Sequence, residues 1–529
     1  MSGYGYLDGR IANTPAASSL NISVEVICKD LVREKYLSPL DDDEMYPQIL
    51  AAWPEIKARI RHILESSPAT VDCITCIALF KLGFDGFFNN PKTVYISLSH
   101  DSAETGWPPV LAEIRSLLDG YGFNLHAHME HNSPTPLADF PLLLSTKPAT
   151  KAEVKEKIDQ FNMVLPPHLD TKVNAGADIG ACTYVSKIKS PPSGAPEEGN
   201  PLVGTLGCWL EIKVQDRGWR TVGLTNYHVV RPCLSGFQIV DDSKGLHSGP
   251  VEKDKPLWKA DREGLRAPGR KQRAQVESPT RSKLNFSVKL NRHEKEKVRL
   301  GQGELGQGST AYTARITEME AQEKEWRVFF NNQKHVLGSV CFASGYLERT
   351  SQNGRLDWAL IDPSENGRVG QNLLPTMEEW RNGSYWWEYP CCIGGKITSP
   401  RQGTRSIHQM KKDDLVYKVG AATKCTVGKF DALKVDCDIR EERYMEQPKK
   451  LSTEFMFIGE GELPFARKGD SGSIVWDTHG RAVGLLFRGQ CPGQSRGCFA
   501  FVTPIEDVFT SIKAKSGGKI EEIRFLGES

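Results

Sequence analysis

The sequence predicts a multidomain chain: a small α/β (or α+β) unit over about residues 1–165, then a mainly β region from about residue 170 to 529. Three observations predict it. At 529 residues the chain exceeds one ordinary domain. Up to residue 165, apolar residues recur at helical spacing in some runs and at every second position in others. From about Ala175, short apolar runs broken by Gly and Pro take over, among them "TLGCWLEIKV", "LDWALID", "EFMFIG" and "AVGLLF". Many short strands with turn signals argue for a barrel or a sandwich.

Taken in order, "PEIKARIRHILES" starts a helix at Pro54 and places Ile56, Ile60, Ile63 and Leu64 on one face. "VDCITCIALF" reads as an apolar, helical run whose Cys73 and Cys76 are buried thiols, because no second pair accompanies them. "KTVYISLSH" alternates Val94, Ile96 and Leu98 as a strand does. "PPVLAEIRSLLDGYG" is a helix that Gly120 can end, and "FNLHAHMEH" alternates again. Strand, helix, strand in about forty residues is a βαβ or split βαβ element. His126, His128 and Glu130 share one face of the last strand. Without a second ligand cluster they read as a solvated face rather than a zinc site. Farther on, "SPPSGAPEEGNP" is a loop. Residues 251–300 hold 15 Lys or Arg and 7 Asp or Glu, a local +8 that leaves −7 for the rest. This segment, within about 244–335, lacks strand alternation and reads as a solvated, partly disordered insertion that is dispensable for chemistry.

Composition excludes some functions. A net charge of +1 gives no reason to infer nucleic-acid binding. No window approaches the ~18 apolar residues of a membrane helix. The start, "MSGYGYLDGRIANTPAASSLN", lacks a basic stretch followed by an apolar run, so no secretion signal is read. Thirteen scattered Cys are then expected as free thiols in an intracellular compartment, cytoplasmic or nuclear. Nothing calls for a cofactor or a metal.

The chemistry begins at "RKGDSGSIVWD", where Ser471 sits in a Gly-Asp-Ser-Gly turn before an apolar run. A serine nucleophile needs a base, a carboxylate that orients the base, and fixed donors for the developing oxyanion. Gly469 lets the turn aim the Gly469 and Ser471 N–H groups into one hollow, and Gly472 leaves room for substrate backbone. The base candidate is His228 in "LTNYHVV", at a strand-to-turn junction. The carboxylate candidate is Asp357 in "GRLDWALIDP", just before an apolar strand. Asp241 and Asp242 compete for that role but adjoin Ser243, Lys244 and Gly245, a composition suited to an exposed turn.

"LTNYHVV", "LDWALI" and "KGDSGSIV", in that order, resemble the three motifs of chymotrypsin-like (trypsin-like) serine peptidases. "GTLGCWLEIK" resembles the opening hairpin of the first barrel, "VYKVGAATKCTVGKF" that of the second, "GRAVGLLFRG" the cleft-lining strand and "CFAFVTPIEDVF" the closing strand and C-terminal helix. The likeness covers roughly residues 175–515, outside the 244–335 insertion. With its extra N-terminal unit, the chain looks most like fungal intracellular trypsin-like peptidases. The resemblance implies a double six-stranded β-barrel, the first over about 175–375 and the second over about 385–515. It implies a serine endopeptidase acting on a polypeptide substrate, with Ser471 as nucleophile, His228 as general base and acid, Asp357 as orienter, and the Gly469 and Ser471 N–H groups as oxyanion hole. It places a substrate pocket near Phe465, Phe487 and Gly489. The chain departs from the pattern at Ser473, where Gly is common, and in the spacing of 129 positions from His228 to Asp357. The alternative is a catalytically inactive barrel serving as a binding or scaffold protein. The N-terminal unit is expected to bind a protein partner or to regulate the peptidase.

Overall fold

The computed structural model describes residues 6–7, 35–40, 44–84, 90–132, 135–136, 164–166, 169, 171–183, 185–189, 197–199, 202–242, 245–249, 251–266, 274–305, 309–363, 367–381, 394–398, 406–438, 451–460, 464–493, 495 and 497–528. The N-terminal part contains β1 (Tyr36–Ser38), α1 (Tyr46–Ser66), β2 (Ile74–Gly83), β3 (Lys92–Leu98), α2 (Trp107–Asp119), β4 (His126–His131) and β5 (Thr135–Pro136). β3 and β4 run parallel across α2, the βαβ unit read from the sequence. β2 pairs antiparallel with β3.

Two elements differ from their expected form. α1 begins at Tyr46, with a proline in its first turn, and Pro54 lies inside it. The apolar face also extends back to Ile49 and Trp53, which the Pro54 start leaves out. "ITCIALFKLG" is a strand, not a helix, and is buried along its whole length. A short apolar run without alternation fits either element, and only its neighbours decide.

Besides a four-stranded sheet over Val185–Lys189, Glu197–Gly199, Gln238–Asp242 and Gly245–Ser248, the β region holds two larger sheets. One runs β7 (Val203–Thr205), β6 (Asp178–Ala181), β10 (Gln275–Glu277), β11 (Val336–Ala343), β12 (Ala359–Pro363), β9 (Gly218–Thr225), β8 (Cys208–Val214) and β19 (Ile520–Phe525). Its two end strands are not paired with each other in that order, so the first sheet is an open ladder among the described pairings. The other is a closed six-stranded barrel in the order β14 (Lys424–Cys437), β13 (Leu415–Gly420), β16 (Ile474–Asp477), β17 (Ala482–Gln490), β18 (Phe499–Pro504) and β15 (Ser452–Gly459), with β14 pairing β15 to close it. The β8–β9 and β13–β14 hairpins lie where the sequence placed them. One apolar core joins the sheets: Leu210, Leu224, Trp358 and Leu360 pack with Tyr417, Ile474, Trp476 and Leu485. α7 (Ile505–Lys515) adds Val508 and Ile512 to it, and β19, beyond the recognised span, returns the chain to β8.

The basic segment is not merely a solvated insertion. It forms α4 (Pro256–Glu263), α5 (Arg281–Leu305) and α6 (Ser309–Asn331), and its β10 is inserted between β6 and β11. Val276 and Glu277 on β10 are buried. A three-residue strand is too short to reveal itself by alternation.

Candidate active site

Ser471 lies in the turn that leads into β16, and the turn is held from several sides. Gly469 and Gly472 have φ of 104° and 97°, in the left-handed region that favours glycine. A Cβ on Gly472 would overlap the Thr205 carbonyl oxygen, so this glycine serves close backbone packing rather than room for substrate. Thr205, at the end of β7, donates its N–H to the Ser471 carbonyl (2.7 Å) and its Oγ1 to the Gly469 carbonyl (2.9 Å). Asp470 is buried and accepts from the N–H groups of Ala422, Thr423 and Arg467, from Thr423 Oγ1 and from Lys418 Nζ (3.1 Å). Lys418 is itself fully buried. Burial pushes its pKa down, and the Asp470 carboxylate opposes that shift. Among the described residues neither the Gly469 nor the Ser471 N–H has an acceptor.

His228 sits in α3 (Tyr227–Val230), one turn of helix directly after β9. Asp357 precedes β12, which pairs with β9, so the two side chains meet by strand adjacency. His228 Nδ1 is 2.7 Å from Asp357 Oδ2, and the His228 N–H donates to Asp357 Oδ1 (3.1 Å). Asn226 Nδ2 donates to the Asp357 carbonyl (2.6 Å) and clamps the same junction. With a carboxylate against Nδ1, the proton belongs on Nδ1, which leaves Nε2 as an acceptor. Nε2 lies 2.8 Å from Ser471 Oγ. The hydroxyl also lies 3.1 Å from the Phe487 carbonyl; having one hydrogen, it serves one acceptor at a time.

Burial alone would raise the Asp357 pKa. The His228 imidazole, the Arg355 guanidinium 3.3 Å away and the two His228 hydrogen bonds outweigh it, and the group lies well below the usual carboxylate range. Asp357 and Ser471 have no exposed surface, and His228 is 4% exposed.

The structure thus brings His228, Asp357 and Ser471 into one chain of hydrogen bonds. Gly469 adjoins it, Phe487 contributes its carbonyl, and Gly489 lies two residues farther along β17. Phe465 falls elsewhere: its side chain is fully buried in the barrel core, with its ring 6.1 Å from Phe457. The Phe487 ring likewise packs inward, on Phe501. Asp241 and Asp242 end a strand over Gln238–Asp242, and their side chains lie outside the described residues. Thr205, Arg355 and Lys418 were not singled out from the sequence. Lys418 carried a signal, a charged residue on the same strand face as Val416 and Gly420.

Two further expectations need correction. His128 and Glu130 are buried, not solvated, because Lys35, Tyr95 and Asn132 supply polar partners. Eight cysteines are free among the described residues, but Cys491 and Cys498 form a disulfide across the β17–β18 connection. Cys182, Glu277 and His335 also converge. There Arg281 donates to Glu277 and reaches His335 Nε2 (3.2 Å), so a guanidinium already lies among these groups.

No family model matches the chain, and no curated protein is similar to it. Among solved structures, a glutamic acid specific serine protease, described as using a histidine triad in substrate binding, shares 11% identity over 67% of this chain and 100% of its own, with a TM-score of 0.27. A chymotrypsin of Cellulomonas bogoriensis shares 12% identity over 36% of this chain and 80% of its own, with a TM-score of 0.22. Among the described residues no helix is long and apolar enough to cross a membrane.

Proposed function

We propose that the chain is a serine endopeptidase, a hydrolase that cleaves peptide bonds through an acyl-enzyme. The observation that carries this reading is the unbroken sequence of short contacts Asp357–His228–Ser471 beside two backbone N–H groups without acceptors. His228 Nε2 takes the Ser471 proton as Oγ attacks the substrate carbonyl carbon. The carbonyl π electrons move onto oxygen, and the Gly469 and Ser471 N–H groups stabilise that charge. Asp357 holds the imidazolium in place, and His228 then returns the proton to the departing amine. Water attacks the acyl-enzyme by the same route in reverse.

Asp470 is a positioning residue here. Its side chain ties the turn that carries Ser471 to Ala422 and Thr423 and closes back on the Arg467 N–H, and Lys418 compensates its charge from within the chain. A second reading, an inactive barrel used as a scaffold, has one observation in its favour: no solvent reaches Ser471. Incubation with an unfolded polypeptide separates them. Products mapped by mass spectrometry, present with the wild type and absent with Ser471→Ala, support the peptidase. An intact polypeptide with both proteins supports the scaffold.

A further inference from the structure

One edge of β17 is shared by three partners. β18 covers the opposite edge from Gly484 to Gln490. On the near edge β16 pairs as far as Leu485, opposite Ile474. Leu486 then exchanges hydrogen bonds with the nucleophile turn: Gly472 N–H to Leu486 O (2.9 Å) and Leu486 N–H to Ser473 O (3.0 Å). Next comes Phe487, whose carbonyl faces Ser471 Oγ. Beyond it, Arg488 pairs with Pro136 and Gly489 with Thr135, antiparallel. β5 therefore lies on the same edge as the nucleophile, one and two residues past it.

An extended polypeptide that brings a carbonyl to Ser471 must run along an edge next to that residue, and a free strand edge supplies main-chain donors and acceptors for it. Here β5 holds that edge. Its hold is reinforced by the chain just before it. Glu130 Oε1 accepts from the Gly493 N–H (2.7 Å), Asn132 Nδ2 donates to the Cys491 carbonyl (2.8 Å), and Gln490 Nε2 donates to Tyr95 and Ser97 (both 2.9 Å). The bonds of Glu130 and Asn132 tie the end of β4, three residues before Thr135, to the chain just after β17, and those of Gln490 tie the end of β17 to β3. The lack of solvent at Ser471 is a second observation in the same sense.

We propose that Thr135–Pro136 is a tethered, substrate-like occupant of the peptide-binding edge of β17, and that an extended polypeptide binds by displacing it. The proposal rests on the peptidase reading for the use of that edge. It assigns the N-terminal unit a regulatory role, through a contact made by backbone pairing.

The test uses the full chain carrying Ser471→Ala, so that binding is read without turnover. The probe is a fluorescein-labelled peptide of residues 131–140, followed by fluorescence anisotropy. Residues 133–138 are replaced by a Gly/Ser stretch of equal length; a second variant, Thr135→Pro, removes the Thr135 N–H and fixes its φ. A tethered segment acts at an effective concentration of about a millimolar. Removing it should therefore tighten the dissociation constant at least about tenfold for a peptide that binds at 100 μM or better. Equal binding before and after replacement, or no binding by either, overturns the proposal. Fluorophosphonate labelling of the same chains with Ser471 restored judges the peptidase reading separately. Labelling with unchanged peptide binding sinks only the occupancy of the edge. Tightened binding without labelling sinks only the chemistry.

Discussion

At the residue scale, Ser471 and His228, the proposed nucleophile and base, stood out because each sits in a short string whose order matters, and the structure brings their side chains within 2.8 Å. Asp357 was legible for a physical reason, its place just before an apolar strand. The structure places it there, beside the His228 ring and without exposed surface. Asp357→Asn keeps the shape but removes the charge and favours the wrong imidazole tautomer. Turnover should fall by about four orders of magnitude near neutral pH while the protein still melts cooperatively, as steady-state kinetics and calorimetry would show. Asp241→Asn and Asp242→Asn should leave turnover nearly unchanged. The residues that hold the turn were less legible. Thr205 and Lys418 act across sequence separations of more than fifty residues, and nothing local in their strings announces a partner.

At the element scale, the strands that carry the site were readable as short apolar runs between turn signals, whereas β10 was missed and β2 was read as a helix. β10 is three residues long, and β2 is buried along its whole length, so neither shows a polar face. This matters for the basic segment. Asp261 on α4 pairs with Arg231 (2.7 Å) and accepts from Tyr227 Oη (2.7 Å), both within three residues of His228. Replacing residues 253–299 by a short linker removes Asp261 and β10 together. Breaking a buried ion pair by deleting one partner costs roughly 3–5 kcal/mol. That variant should lose fluorophosphonate labelling or fail to fold, contrary to the dispensability expected from composition; labelling at the wild-type rate would refute the structural role. Glu130 gives the pH prediction. Burial opposes its charge, but bonds from His128, Tyr95 and Asn132 hold its pKa down at about 2. A depressed carboxylate pKa stabilises the fold above the ordinary value near 4.3, and that stability is lost as pH falls from about 4 toward 2. Glu130→Gln should flatten this acid limb in melts recorded against pH. An unchanged limb would remove Glu130 as its source.

At the scale of the whole molecule, the order of the parts was legible, but their interlocking was not. Closure of the six-stranded barrel comes from β14 reaching β15, a non-local pairing that no single run encodes. β14 then continues past the barrel and pairs with β2, so the sheet of the N-terminal unit grows directly from it. Leu433, Val435, Phe499 and Phe501 lie in one core with Ile77, Val94 and Met129. Each such side chain left bare would forfeit roughly 1.5–3 kcal/mol, and four of them approach the whole stability of an ordinary domain. The boundary at 165–170 therefore runs through a shared core. The same chain carries β5 to the edge beside Ser471, which has no exposed surface. The most direct measurement is covalent labelling with a fluorophosphonate, with the modified residue located by mass spectrometry. The account predicts a slow adduct on Ser471 in the wild type, a faster one when residues 133–138 are replaced, and none in Ser471→Ala. No adduct in any of these proteins, or equal labelling of Ser471→Ala, would contradict it.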